Sequence, residues 1–282
     1  MKHIPAASCT RAWLNAATHL QGQPEHCDYN LILEIRNPMG MPPEDKLICE
    51  AVNLFLTKHK KQSVNTVVNT IFPAGFYARY GATKVIKNYG EIARKVRKHP
   101  DNNRWGTYAY RIMTQRADSK GRQYVPLQVI IDKLIRQLKN KSTLRAAYEL
   151  NTIDPMVDIP IYEADSDRDN TIGGPCLSHL SFKLRHDHSL MLTAFYRSHY
   201  YLQRALGNLY GLAWLQDFVA NQVGVKPAEL TCISSMARLE TDAAWGKAEV
   251  AALLKRCRKL AGLPESGVAT IDELAVASGG AA

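Results

Sequence analysis

Between residues 180 and 239 the hydrophobic period changes twice, and that succession restricts the fold more than any other feature of the chain. Residues 180–184 and 190–196 (LMLTAFY) are short, apolar and β-compatible. Residues 200–223 then carry Leu206, Leu209, Leu212, Ala213, Leu215 and Val219 at helical spacing. Residues 230–239 return to a strand pattern. An apolar helix set between strands must be buried on a sheet, which predicts an α+β fold with a mixed sheet flanked by helices.

The remaining segments fit the same class. Residues 29–36 (YNLILEIR) read as a strand stopped by Asn37-Pro38-Met39-Gly40. Pro42-Pro43-Glu44-Asp45 opens a helix to residue 58, with Leu47, Ile48, Val52 and Leu56 on one face. A helix over 76–98 follows Pro73-Ala74-Gly75. The helix over 125–139 has the clearest stripe, formed by Leu127, Ile130, Ile131, Leu134, Ile135 and Leu138. Residues 144–150 read as a strand and 242–261 as a helix, whereas 1–28 show no strong period. No repeat and no linker divides the chain, so one domain over 1–262 is expected, with a loose tail over 263–282.

Charge and cysteine usage narrow the class. The 282 residues carry 36 basic and 26 acidic side chains and have a mean hydropathy of −0.25. Sixteen of the basic residues and only four of the acidic ones fall between Lys84 and Arg145. Such a concentration suits an anionic partner or a solvated helix face. The stretch has no regular aromatic interleave and no nucleic-acid motif, so nucleic acid ranks last among the partners. No run is long enough for a membrane span and no secretory leader is visible, so a cytoplasmic protein is expected. The cysteines, Cys9, Cys27, Cys49, Cys176, Cys232 and Cys257, lack zinc-ligand spacing, and no metal site is expected.

One of these thiols stands apart. Cys176 lies in Gly173-Gly174-Pro175-Cys176, immediately before an alternating strand. Arg197-Ser198 closes the next strand, and Asn208 follows eleven residues after Arg197. Further on, Ala237-Arg238-Leu239-Glu240 ends a strand whose alternation puts Arg238 and Glu240 on one side. Each residue alone has an ordinary reading: a buried thiol, an ion pair, a helix cap.

Taken in order and spacing, Pro175-Cys176, Arg197-Ser198 and Asn208 resemble the thymidylate synthase superfamily, including the pyrimidine-nucleotide hydroxymethylases. Trp105-Gly106-Thr107-Tyr108 resembles its Gly-x-x-Tyr-Gly segment, and Ser142-Thr143-Leu144-Arg145 its Ser-Arg-Arg. The resemblance spans about 100–245. It implies a homodimer that binds a pyrimidine nucleoside monophosphate and acts on C5 with 5,10-methylenetetrahydrofolate as donor. Cys176 would be the nucleophile, since a thiolate adding to C6 makes C5 enolate-like. Arg197 could lower the thiol's pKa and hold phosphate, with Ser198 beside it. Asn208 would read the base edge, and its amide suits uracil or cytosine by turning over. Arg145 would contact phosphate, Tyr108 would serve proton transfer at C5, and Arg238 and Glu240 stand where the family holds the sugar.

Departures from the pattern are specific. The family's His and Tyr, two apart, are Arg238 and Glu240 here, and its Asp after Arg-Ser is Tyr200. Residues 73–80 (PAGFYARY) contain no carboxylate where a catalytic Glu is expected, and Glu91 is the nearest. These differences leave an alternative class open: a nucleotide-binding pseudoenzyme of the same fold, without one-carbon transfer.

Overall fold

The computed structural model describes residues 1–97, 106–140, 146–153, 175–241 and 245–264. Its strands are β1 (Lys2–Ala6), β2 (Cys27–Ile35), β3 (Arg116–Ala117), β4 (Gln123–Tyr124), β5 (Glu149–Asn151), β6 (Leu177–Leu184), β7 (Leu190–Tyr196), β8 (His199–Tyr200) and β9 (Pro227–Arg238). Among the described residues, a mixed seven-stranded sheet runs β1-β2-β9-β7-β6-β5, with β8 beside β9. β3 and β4 form a separate hairpin. The fold is α+β, as the alternation of periods predicts.

Register decides which side chains form the core. Leu31, Leu33 and Ile35 of β2 stand opposite Ser234, Cys232 and Leu230 of β9, and all six are fully buried. Leu192 and Ala194 of β7 continue that layer beside Leu230 and Cys232. The alternate residues form rows on the other face. One row runs His3, Ile32, Ile233, Phe195, His179, Asn151. These six are half-buried or exposed, so the described helices leave this face open.

On the covered face lie α1 (Cys9–Gln21) and a long helix over Leu206–Val223. α1 is capped by Ser8, whose Oγ accepts from Arg11 N at 3.2 Å. Ten of its thirteen residues are buried, including Thr10, Arg11 and Asn15. Part of its polar side, Arg11 and Asn15, is buried along with the apolar side. Arg11 is held by Asp45 at 3.2 Å, on α2 (Pro43–Lys58). Leu47 is 48% exposed, contrary to its assignment to the apolar face of α2. Ala51 and the ion-paired Asp45 complete that face instead.

α3 (Val64–Ile71) was not expected from the pattern. α4 (Ala74–Arg97) is broken at Gly81, whose φ of 75° suits a residue without Cβ. α5 (Tyr108–Met113) and α6 (Pro126–Asn140) follow, and the α6 stripe is buried at Leu127, Ile130, Ile131 and Leu134. The strand expected over 144–150 is confined to β5, with 144–145 outside the described residues. The helix expected over 200–223 divides into a π-helical turn at Tyr201–Ala205 and α7 (Leu206–Val223), which ends at Gly224 in the left-handed region. α8 (Gly246–Leu260) closes the described core, and Leu263 is buried against it. Residues 265–282 lie outside the described residues. Among the described residues no helix is long and apolar enough to cross a membrane.

α7 is buried along most of its length and meets α3 at two glycines. A Cβ on Gly207 would lie 2.6 Å from Val67 Cβ and 2.8 Å from the Val64 carbonyl oxygen. On Gly211 it would lie 2.9 Å from Ile71 Cβ. The two backbones approach closely because these positions carry no side chain.

Candidate active site

Strand register brings the sequence-predicted cysteine and arginine together. Leu177 pairs with Tyr196, and the ladder slips between Leu177 and His179, where β6 carries one extra residue. Such a bulge bends the strand and re-aims its first side chains. Arg197 N donates to the Cys176 carbonyl at 3.0 Å, and Arg197 Nε donates to the Pro175 carbonyl at 3.2 Å. Cys176 is thus half-buried beside the guanidinium-bearing turn. Tyr108 opens α5, which Thr107 caps, and its hydroxyl accepts from Leu177 N at 3.3 Å. Burial pushes the Tyr108 phenol up to about 12.

The thiol itself behaves contrary to expectation. Burial pushes Cys176 above the ordinary thiol value, while Arg197 and Arg204 pull it the other way without prevailing. Arg197 thus acts on the thiol in the expected direction, and burial outweighs it. Arg204 was not singled out from the sequence. It lies on the π-helical turn, exposed, and donates to Gln62 Oε1. The signal was its position four residues, about one helical turn, before Asn208.

Asn208 is buried at the start of α7, and its Nδ2 donates to His199 Nε2 at 3.0 Å. His199 Nδ1 lies 3.1 Å from Ser234 Oγ, and that oxygen lies 3.2 Å from the Tyr201 hydroxyl. The His199 ring stacks on Tyr196 with centroids 3.9 Å apart and planes 4° apart, and Tyr196 meets Tyr108 edge-on at 6.5 Å. These contacts link Asn208 to the tyrosine beside Cys176.

Burial also drives the His199 imidazole from 6.5 to about 3. Below the unfolded value the unfolded chain takes up a proton that the folded chain refuses. Stability therefore rises with pH across the window from about 3 to 6.5. Taking the protein from pH 7 to pH 5 should remove about 2 kcal/mol of this contribution. Urea titrations at the two pH values measure the loss, and His199→Phe should remove most of it. An equal loss in both proteins would assign the effect to other groups.

Arg238 and Glu240 do not share a side, because β9 ends at Arg238 and its alternation stops there. Arg238 is exposed. Glu240 is buried, and its carboxylate accepts from Leu202 N at 2.8 Å and Gln203 N at 3.2 Å. It anchors the turn that carries Arg204 and leads into α7. Ser198 is half-buried on the bend after β7, and Tyr200 is 44% exposed. Arg145, Trp105, Gly173 and Gly174 lie outside the described residues. Glu91 is exposed and paired with Arg94. All six cysteines are free thiols, and among the described residues no cluster of three His, Cys, Asp or Glu side chains could hold a metal.

No protein-family model matches the chain. A Methanosarcina barkeri protein described as "Putative thymidylate synthase" is 36% identical over 109 residues, covering 39% of this chain and 45% of that protein. One from Methanococcoides burtonii with the same description is 33% identical over 119 residues, covering 42% and 49%. The matched segment thus spans about half the length of these relatives. Among solved structures, thymidylate synthase A from Bacillus subtilis overlays with a TM-score of 0.47 at 13% identity, over 82% of this chain and 79% of that one. Over the matched segment the chain is similar in sequence to both of these proteins.

Proposed function

We propose that the protein acts at C5 of a pyrimidine nucleoside monophosphate through a Cys176 adduct at C6, leading to methylation or hydroxymethylation. The observation that carries this reading is the backbone pairing of Cys176 with Arg197, which sets a thiol beside a guanidinium at the mouth of one strand pair. Cys176 Sγ, as thiolate, bonds to C6, and the C5=C6 electron pair moves through C5 onto O4. Asn208 holds the O4 and N3 edge, and Arg197, Ser198 and Arg145 take the phosphate, with Arg238 near the sugar. C5 accepts a solvent proton and later releases its original hydrogen. The thiolate then departs as C5=C6 reforms. Tyr108, with its phenol near 12, stays protonated at neutral pH and so acts as a proton donor.

Among the described residues, none matches the family glutamate that would serve the implied donor, 5,10-methylenetetrahydrofolate. Residues 73–80 lack a carboxylate, and Glu91 is exposed and paired with Arg94. The same absence, together with the upward push on the Cys176 thiol, favours the pseudoenzyme as the second reading. Tritium release from C5-labelled nucleotides, with and without the folate, separates the two.

The homodimer belongs to the same proposal. The open sheet face has an apolar centre at Ile32, Ile233 and Phe195, with His3 at one end of the row and His179 and Asn151 at the other. A second copy laid on this face would cover the apolar centre. Phe195→Lys should convert the dimer to monomer in sedimentation equilibrium at micromolar concentration. A wild-type chain that sediments as monomer would refute it.

A further inference from the structure

The chain of buried groups behind Asn208 has a use beyond packing. We propose that His199 determines which pyrimidine the site accepts, by fixing the orientation of the Asn208 amide; this rests on the nucleotide reading above. The supporting geometry is a continuous buried path: Asn208 Nδ2 to His199 Nε2 at 3.0 Å, His199 Nδ1 to Ser234 Oγ at 3.1 Å, and Ser234 Oγ to the Tyr201 hydroxyl at 3.2 Å. Asn208, His199, Ser234 and Tyr201 are at most 4% exposed, so water does not replace any member.

Hydrogen-bond direction runs through the whole path. When Asn208 Nδ2 donates to Nε2, the imidazole proton sits on Nδ1 and is donated to Ser234. Turning the amide over would put Oδ1 against Nε2. Nε2 would then need the proton, Nδ1 would be bare, and Ser234 would have to donate to it while accepting from Tyr201. The amide therefore turns only if the His199 tautomer changes and the Ser234 hydroxyl turns with it. Stacking on Tyr196 at 3.9 Å holds the imidazole plane and prevents the ring from swinging out.

The two bases demand opposite amides. Uracil presents O4 as acceptor and N3–H as donor, whereas cytosine presents an amino donor and N3 as acceptor. In one binding pose, a fixed amide satisfies one base and faces the other with two mismatched pairs. Asn208 alone reads either base; Asn208 locked by His199 reads one.

The test measures dissociation constants of dUMP, dCMP and deoxyribose 5-phosphate for wild type, His199→Phe and Ser234→Ala. Wild type should prefer one nucleotide by about 30-fold or more, the usual scale for mismatched buried hydrogen bonds. Each variant should bring the two nucleotides within about threefold of each other, a residual scale set by weaker contacts. Affinity for deoxyribose 5-phosphate should not change, which a general loosening of the pocket would not allow. ¹⁵N shifts of the His199 ring in wild type read the tautomer directly and do not depend on the variants folding. One tautomer protonated at Nδ1 is expected, and an average of two would overturn the proposal. Equal binding of both nucleotides by wild type, or preserved preference in the folded variants, would overturn it too. Wild type that binds deoxyribose 5-phosphate and neither nucleotide overturns the inference about the base. Binding none of the three overturns the nucleotide reading on which it stands.

Discussion

Cys176→Ala should lower the release of tritium from a C5-labelled pyrimidine nucleotide by about 10³-fold or more, the scale on which loss of a covalent nucleophile is felt. The assay uses dUMP, dCMP, UMP and CMP, each with and without methylenetetrahydrofolate. Only the thiolate adds to C6, and burial pushes the Cys176 thiol up. The wild-type rate should therefore climb with pH past the ordinary thiol range and not level off below it. Arg204→Met removes one of the two charges that pull the thiol down, so at a fixed pH the exchange should slow. Release that persists in Cys176→Ala would eliminate the nucleophile. Absence of release from all four nucleotides in wild type, alongside measurable binding, would leave the pseudoenzyme.

A second large effect is structural. Gly207→Val should cost about 3 kcal/mol, at the upper end of ordinary overpacking. For a chain of this size that corresponds to a fall in Tm of roughly 5 °C. The added Cβ has no room, since the Val64 carbonyl oxygen lies 2.8 Å and Val67 Cβ 2.6 Å from its position. α3 and α7 must separate, and the cost exceeds the gain of roughly 1 kcal/mol that a better helix former than glycine can bring. Asn208 is the next residue on α7, so separation also moves its amide away from His199. Nucleotide affinity should fall with stability in this variant. A Tm within a degree of wild type would mean that the helices do not touch as described.

The sheet strands were readable because alternation survives wherever one face is buried and the other is not. β2, β6, β7 and β9 all overlap the expected segments. α1 was not read from the sequence; in the structure Trp13, Leu14, Ala16 and Ala17 are wholly buried, and so are the polar Thr10 and Asn15. α3 was missed because six of its eight residues, VNTVVNTI, are β-branched and locally favour a strand; its packing on α7 overrides them. In the candidate site, Cys176, Arg197 and Asn208 stand out in the sequence by their order and spacing and by the family resemblance these carry, and the structure brings Cys176 and Arg197 into contact. His199, Ser234 and Tyr201 were not found. Their role depends on a ring stacked across a strand end and on a partner thirty-five residues away, neither of which leaves a local pattern. The failure at Glu240 has a plain cause: alternation was extended two residues past the end of β9.

The position of β9 has a temporal side. β1 and β2 are made first and β5, β6 and β7 much later, and in the described sheet neither group touches the other. They are joined only when β9 enters between β2 and β7. On the ribosome, residues 1–35 must therefore wait for about two hundred further residues before their sheet edge is filled. Until then Leu31, Leu33 and Ile35 sit on an unpaired strand edge, a template for pairing with another nascent chain. A chain of this topology has its greatest need of a chaperone late in synthesis, and a stop codon before β9 would release two unjoined half-sheets in place of a shortened domain.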